Sequence, residues 1–135
     1  MERPPALASE LVRDFVIAGH GNLEKVKEML GQEPALINAT WDWGGGDWET
    51  ALGGAAHVGN RNIAQYLLAN GARFDLYAAA MLGELELVKQ VLTIFPNLRH
   101  TPGAHGIPLL AHAQRGGEQA RPVVEYLLAY EGGAS

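Results

Sequence analysis

At 135 residues, 47% of them hydrophobic, the chain has the size and apolar content of one globular domain with a sizeable core. Its net charge of −5, without any run of Lys or Arg, argues against a nucleic-acid partner, and the lack of cysteine removes disulfides, thiolate metal sites and thiol catalysis. No apolar stretch approaches the roughly 18 residues of a membrane span, and Met1 to Ala6 carry no secretory pattern, so a cytoplasmic protein without a membrane partner is expected.

Along the chain, four similar units align on the glycine that ends a first short helix: Gly21, Gly59, Gly83 and Gly116. In the first unit, residues 11–38, Ile17-Ala18 precede the glycine and Val26 with Met29-Leu30 follow it. That i, i+3, i+4 spacing puts an apolar stripe on one face of a second helix. Asp14 stands where the later units have Leu52, Leu76 and Leu109, which suits an end unit with one face in water. A stretched connection follows from Asn38 to Thr50, containing Trp41, Trp43 and Trp48 around Gly44-Gly45-Gly46. The second unit, residues 47–72, is the most regular, with Ala55-Ala56 before its glycine and Ile63 with Leu67-Leu68 after it. The third, residues 73–98, begins almost at once after Gly71-Ala72, so no finger is expected between units two and three. It carries Ala79-Ala80, then Leu87-Val88 with Val91-Leu92. The fourth, residues 105–131, restarts at Ile107-Pro108-Leu109-Leu110. It reaches Val123-Val124 with Leu127-Leu128 three residues late, after the extra Gly117 to Arg121, and Pro122 suits the first turn of a helix.

The unit Glu49-Thr50-Ala51-Leu52, Ala55-Ala56, Gly59, Leu67-Leu68 and Gly71-Ala72 resembles an ankyrin repeat. The aligned glycines lie 38, 24 and 33 residues apart, against a family period of about 33. The family histidine of Thr-Pro-Leu-His is replaced by Phe15, Gly53, Tyr77 and Leu110, and its proline survives only as Pro108, so the hydrogen bonds of that histidine do not carry over. With Glu33 to Asn38 and Phe95 to Leu98, the chain is similar to small stand-alone bacterial ankyrin-like proteins. The resemblance implies an all-α, ankyrin-like solenoid of four helix–turn–helix repeats with irregular connecting loops, and a protein-binding module.

The Trp-rich connection is the segment least explained by folding. Aromatic side chains are enriched at binding hot spots, and the triple glycine permits turns with positive φ. Either the indoles fold back as a lid over the first two units, or at least one is exposed for recognition. The histidines are His20, His57, His100, His105 and His112, and their only local pair, His105 with His112, is seven apart and interrupted by Pro108. No metal signature such as His-Glu-x-x-His is present, so surface or inter-repeat hydrogen bonding is the expected role. Asp42 and Asp47 are expected to be solvated loop acids, and no serine lies outside the termini to act as a nucleophile.

The expected function is therefore a non-enzymatic protein-binding scaffold, with no catalytic, cofactor or metal residues. Trp41, Trp43, Trp48, His57, Tyr77, Met81, Gln114 and Arg115 are expected to face a protein partner of unknown identity or a second copy. Two alternatives stay open. One is a small-molecule pocket between the Trp-rich loop and the first helices, suited to a sugar or a cation. The other is a metal- or acid-assisted enzyme, which needs His57, His105, His112 and Asp47 to converge.

Overall fold

The computed structural model describes residues 2–132. Eight α-helices occupy most of them: α1 Ser9–Ala18, α2 Leu23–Gln32, α3 Ala51–Val58, α4 Arg61–Ala69, α5 Leu76–Leu82, α6 Leu85–Ile94, α7 Leu109–Arg115 and α8 Arg121–Gly132. The all-α expectation needs one correction. The Trp-rich connection folds into a two-stranded antiparallel hairpin, β1 Thr40–Asp42 paired with β2 Trp48–Thr50, in the register Thr40↔Thr50, Trp41↔Glu49, Asp42↔Trp48. Its turn holds without hydrophobic packing because the Asp42 carboxylate accepts from the backbone N–H of Gly44 (2.8 Å) and Gly46 (2.9 Å), and Gly44, Gly45 and Gly46 take positive φ. No helix is long and apolar enough to cross a membrane.

Local chemistry sets the helix boundaries. Asn22, Thr50, Asn60 and Asp75 each accept a hydrogen bond from the backbone N–H three residues on, which satisfies an otherwise orphaned donor at the start of α2, α3, α4 and α5. Gly83 ends α5 at φ 84°, and a β-carbon there would run into the backbone carbonyl of Gln119, so both conformation and space require glycine.

Odd-numbered helices pack in sequence, α1 on α3, α3 on α5 and α5 on α7, while α2 meets α4 and α6 meets α8. Small side chains bring the first set close: Ala51, Ala55, Ala56, Ala78, Ala79, Ala80 and Ala113 are fully buried. The second set buries Val26, Ile63, Leu67, Val88, Leu92, Val123 and Leu127, as the stripes predict. Leu87 and Leu128 are exposed, at 37% and 49%, and Leu68, Val91 and Val124 are half-buried, because the neighbouring position on a helix points about 100° away from the stripe. Helix α3 also touches α7 directly. The Arg61 guanidinium holds this junction together, donating to the carbonyls of Leu82 (3.0 Å), Met81 (3.2 Å) and Gly116 (3.3 Å) at the ends of α5 and α7. Residues 71–75 form no strand, so the connection expected to lack a finger lacks one.

Leu67, buried at the centre of α4, is expected to lose about 2–5 kcal/mol on truncation to alanine. Leu128→Ala, half exposed on α8, is expected to stay within about 0.5 kcal/mol of the parent. Urea midpoints of the two variants check this.

Candidate metal centre

Four chain segments bring ionisable side chains to one point: His20 in the turn after α1, Glu49 at the centre of β2, His57 in the last turn of α3, and His105 in the 3-10 turn Ala104–Gly106. Strand alternation directs Glu49 inward while its neighbour Trp48 is 60% exposed. The Glu49 carboxylate has no solvent exposure at all. Around it stand the Nε2 atoms of His20 (3.2 Å from Oε1), His57 (3.0 Å from Oε2) and His105 (3.3 Å from Oε2). The Nε2 atoms of His20 and His57 are themselves 3.1 Å apart. One ligand atom from each of the four residues fits within 4.8 Å of all the others.

The opposite edges of the rings are fixed. His20 Nδ1 lies 2.9 Å from the carbonyl oxygen of Val16, which only accepts, so Nδ1 carries the proton. His105 Nδ1 lies 2.7 Å from the Asp47 carboxylate, whose other oxygen accepts the His105 backbone N–H at 2.7 Å. In the neutral rings, both Nε2 atoms are therefore lone pairs aimed at the centre. Trp43 Nε1–H donates to Glu49 Oε1 at 2.8 Å, while Glu49 Oε2 is buried without a hydrogen bond of proper geometry. Gly54 makes room for the His20 ring, since a β-carbon there would sit 2.6 Å from His20 Cε1. His105 is the only non-glycine with positive φ (61°) among the described residues, a conformation of the kind that persists where its surroundings enforce it. The two-pronged grip of Asp47 supplies that enforcement.

The electrostatics keep the carboxylates ionised. Burial pushes the Glu49 pKa up, but the His20 hydrogen bond and charge, the Trp43 N–H and His105 together hold it below the ordinary value. The His105 backbone N–H holds Asp47 low. His20 is raised by its hydrogen bond to Glu49, whereas burial lowers His57. The donor set fits a metal ion. Four ligands at about 2.0–2.1 Å in tetrahedral array have edges of about 3.3–3.4 Å. Here the histidines meet both oxygens of Glu49, His20 at Oε1 and His57 and His105 at Oε2, and one atom from each residue lies within 4.8 Å of the others, so the set can converge on one ion. Three imidazoles with one carboxylate suit zinc-class divalent ions better than Ca²⁺ or Mg²⁺.

The residues expected to face a partner are distributed unevenly. Trp48 and Trp43 are exposed (60% and 39%), as are Gln114 and Arg115, while Trp41 is half-buried with its strand against α1. His57 is turned into the cluster, and Tyr77 is half-buried with its hydroxyl donating to the carbonyl of Thr101 (2.7 Å). Met81 is fully buried, contrary to expectation, because the close approach of Gly116 brings α7 onto its backbone. Of the set His57, His105, His112 and Asp47, three converge. His112 stays apart, buried on α7 with Nδ1 2.9 Å from the Pro108 carbonyl oxygen. His20 and Glu49 complete the cluster instead. The inter-repeat half of the expected role fits His20 and His57, whose Nε2 atoms meet at 3.1 Å across adjacent units, while the expected solvation of Asp47 is corrected by its grip on His105. A signal for two members was present: His20 and His57 occupy nearly matching positions, one and two residues before the turn glycines of adjacent units.

No protein-family model matches the sequence, and comparison with curated proteins gives no match.

The tautomers offer a direct check. In chelator-treated protein raised to a pH at which the imidazole signals no longer change, long-range ¹⁵N NMR is expected to show His20 and His105 protonated at Nδ1. Predominant Nε2–H forms contradict the geometry.

Proposed function

We propose that the protein is a metal-organised binding scaffold, in which a zinc-class ion held by His20, Glu49, His57 and His105 fixes the Trp-rich hairpin and the 104–106 turn against the first helices. One observation carries this reading: three imidazole Nε2 atoms surround a fully buried carboxylate that lacks enough hydrogen-bond donors of its own. Four protein ligands complete a tetrahedral shell and leave no position for a reactive water, so the role is structural and the protein is not an enzyme. The Asp47 carboxylate and the Val16 carbonyl orient the outer edges of two ligands, an arrangement usual in metal sites.

The scaffold is an ankyrin-like array of four helix pairs in a cytoplasmic protein. The ordered packing of α1, α3, α5 and α7 and the capped starts of the helices support that reading. With the hairpin fixed, the exposed rings of Trp43 and Trp48 are presented for a protein partner at reduced entropic cost. Trp48 in particular has 60% exposure that folding alone leaves unexplained.

Titrating chelator-stripped protein with Co²⁺ is expected to give the intense visible absorption of a tetrahedral complex. Zn²⁺ at 100 times its Kd is expected to stabilise the fold by about 2.7 kcal/mol. His57→Ala and Glu49→Gln should each weaken both effects strongly while still loading at high metal concentration, and Asp47→Ala should weaken affinity about 10–100-fold. Gly54→Ala leaves all four ligand residues in place, yet its β-carbon, 2.6 Å from His20 Cε1 and 3.0 Å from Nε2, should also weaken binding by displacing the His20 ring. Absent Co²⁺ bands together with an unshifted melting temperature contradict the proposal.

A further inference from the structure

A cavity of about 380 Å³ lies beside the cluster, between the hairpin, the start of α5 and the loop ahead of α7. Asp47, Glu49, Asp75, Trp48 and Tyr77 are among its lining residues, with no lysine or arginine among the described ones. Asp47 and Glu49 are engaged by histidines. Asp75 is different: it caps α5 through the backbone N–H of Ala78 (2.8 Å), with the Tyr77 N–H beside it, and forms no ion pair with the described residues. Burial pushes its pKa up, so its charged form lacks full compensation in the protein alone.

His112 gives an independent sign of a ligand. It is only 1% exposed, and its Nδ1 is committed to the Pro108 carbonyl, so in the neutral ring Nε2 is a lone pair. Burial lowers its pKa and favours that neutral form. No hydrogen bond reaches Nε2 from the described residues, and the side chain borders the cavity. The Tyr77 ring lies 5.0 Å from the His112 ring, its hydroxyl hydrogen already given to Thr101. The Asp75, His112 and Tyr77 groups left open are thus acceptors, and the exposed Trp48 also lines the cavity.

We infer that this cavity is a binding site for a small primary amine in its ammonium form, which donates hydrogen bonds to Asp75 and His112 Nε2 while resting against Trp48 and Tyr77. An ammonium supplies several donors and a charge that offsets the half-buried Asp75 carboxylate, and it interacts favourably with aromatic faces. An anion meets like charge, and a neutral alcohol leaves Asp75 uncompensated. The site does not rest on the metal reading, because neither Asp75 nor His112 is one of the four metal ligands.

Calorimetric titration of the protein as purified, using three probes with one ring and different charge, tests the inference. Phenethylammonium is expected to bind saturably, phenethyl alcohol about tenfold more weakly or worse, and phenylacetate not at all. Asp75→Asn retains an oxygen for the α5 cap and is expected to weaken phenethylammonium about tenfold. Trp48→Ala, at an exposed position, is expected to weaken it several-fold, and both variants should retain the Co²⁺ titration of the parent. The inference is overturned by no saturable binding up to about 10 mM phenethylammonium, by equal binding of the alcohol or the carboxylate, or by unchanged affinity in both variants.

Discussion

The arrangement at the centre of this protein follows from putting the carboxylate of Glu49 where water does not reach it. An ionised carboxylate out of water is costly unless charge and hydrogen bonds compensate for it. Here one indole N–H donates to Oε1, and histidine nitrogens occupy the remaining directions. Uncharged, the Nε2 atoms of His20 and His105 present lone pairs to the carboxylate, and His57 Nε2, close to both the carboxylate and His20 Nε2, has at most one proton to give. Protons relieve the repulsion in part, whereas a divalent cation relieves all of it at once. The metal reading follows from that electrostatic conflict.

The fold makes the conflict possible. Alanine faces and Gly54 let α1 and α3 approach until His20 lies against α3, one helical turn from His57. The hairpin then lays Glu49 across the ends of both helices, held by an Asp42-bound glycine turn that spends little side-chain volume. His105 arrives from a distant loop, and Asp47 grips it through both backbone and ring. The last of these contacts spans 58 residues, against 37 between His20 and His57, and it closes the hairpin onto the segment ahead of α7.

Much of the fold was legible in the sequence, because its signals are local. Asn22, Thr50, Asn60 and Asp75 mark helix starts, and the spacing of Ile63 with Leu67 or Val88 with Leu92 marks buried faces. Doubled positions such as Leu127-Leu128 were legible only in part, since side-chain direction selects one member for the core. The site was harder to see. Glu49 sits in a connection read as irregular, and its burial depends on a hairpin set by three glycines and Asp42. His105 owes its place to a left-handed backbone conformation that sequence patterns do not announce. His20 and His57 were visible as residues in matching places, but their meaning depends on how closely the helices approach. Met81 misled for the same reason: closeness between α5 and α7 comes from Gly116, far along the chain.

X-ray absorption on the zinc-loaded protein tests the central claim most directly. The account predicts a four-coordinate shell of three imidazole nitrogens and one carboxylate oxygen at about 2.0–2.1 Å, with one nitrogen lost in His57→Ala. A shell dominated by water oxygens, or one that is unchanged in His57→Ala, contradicts it.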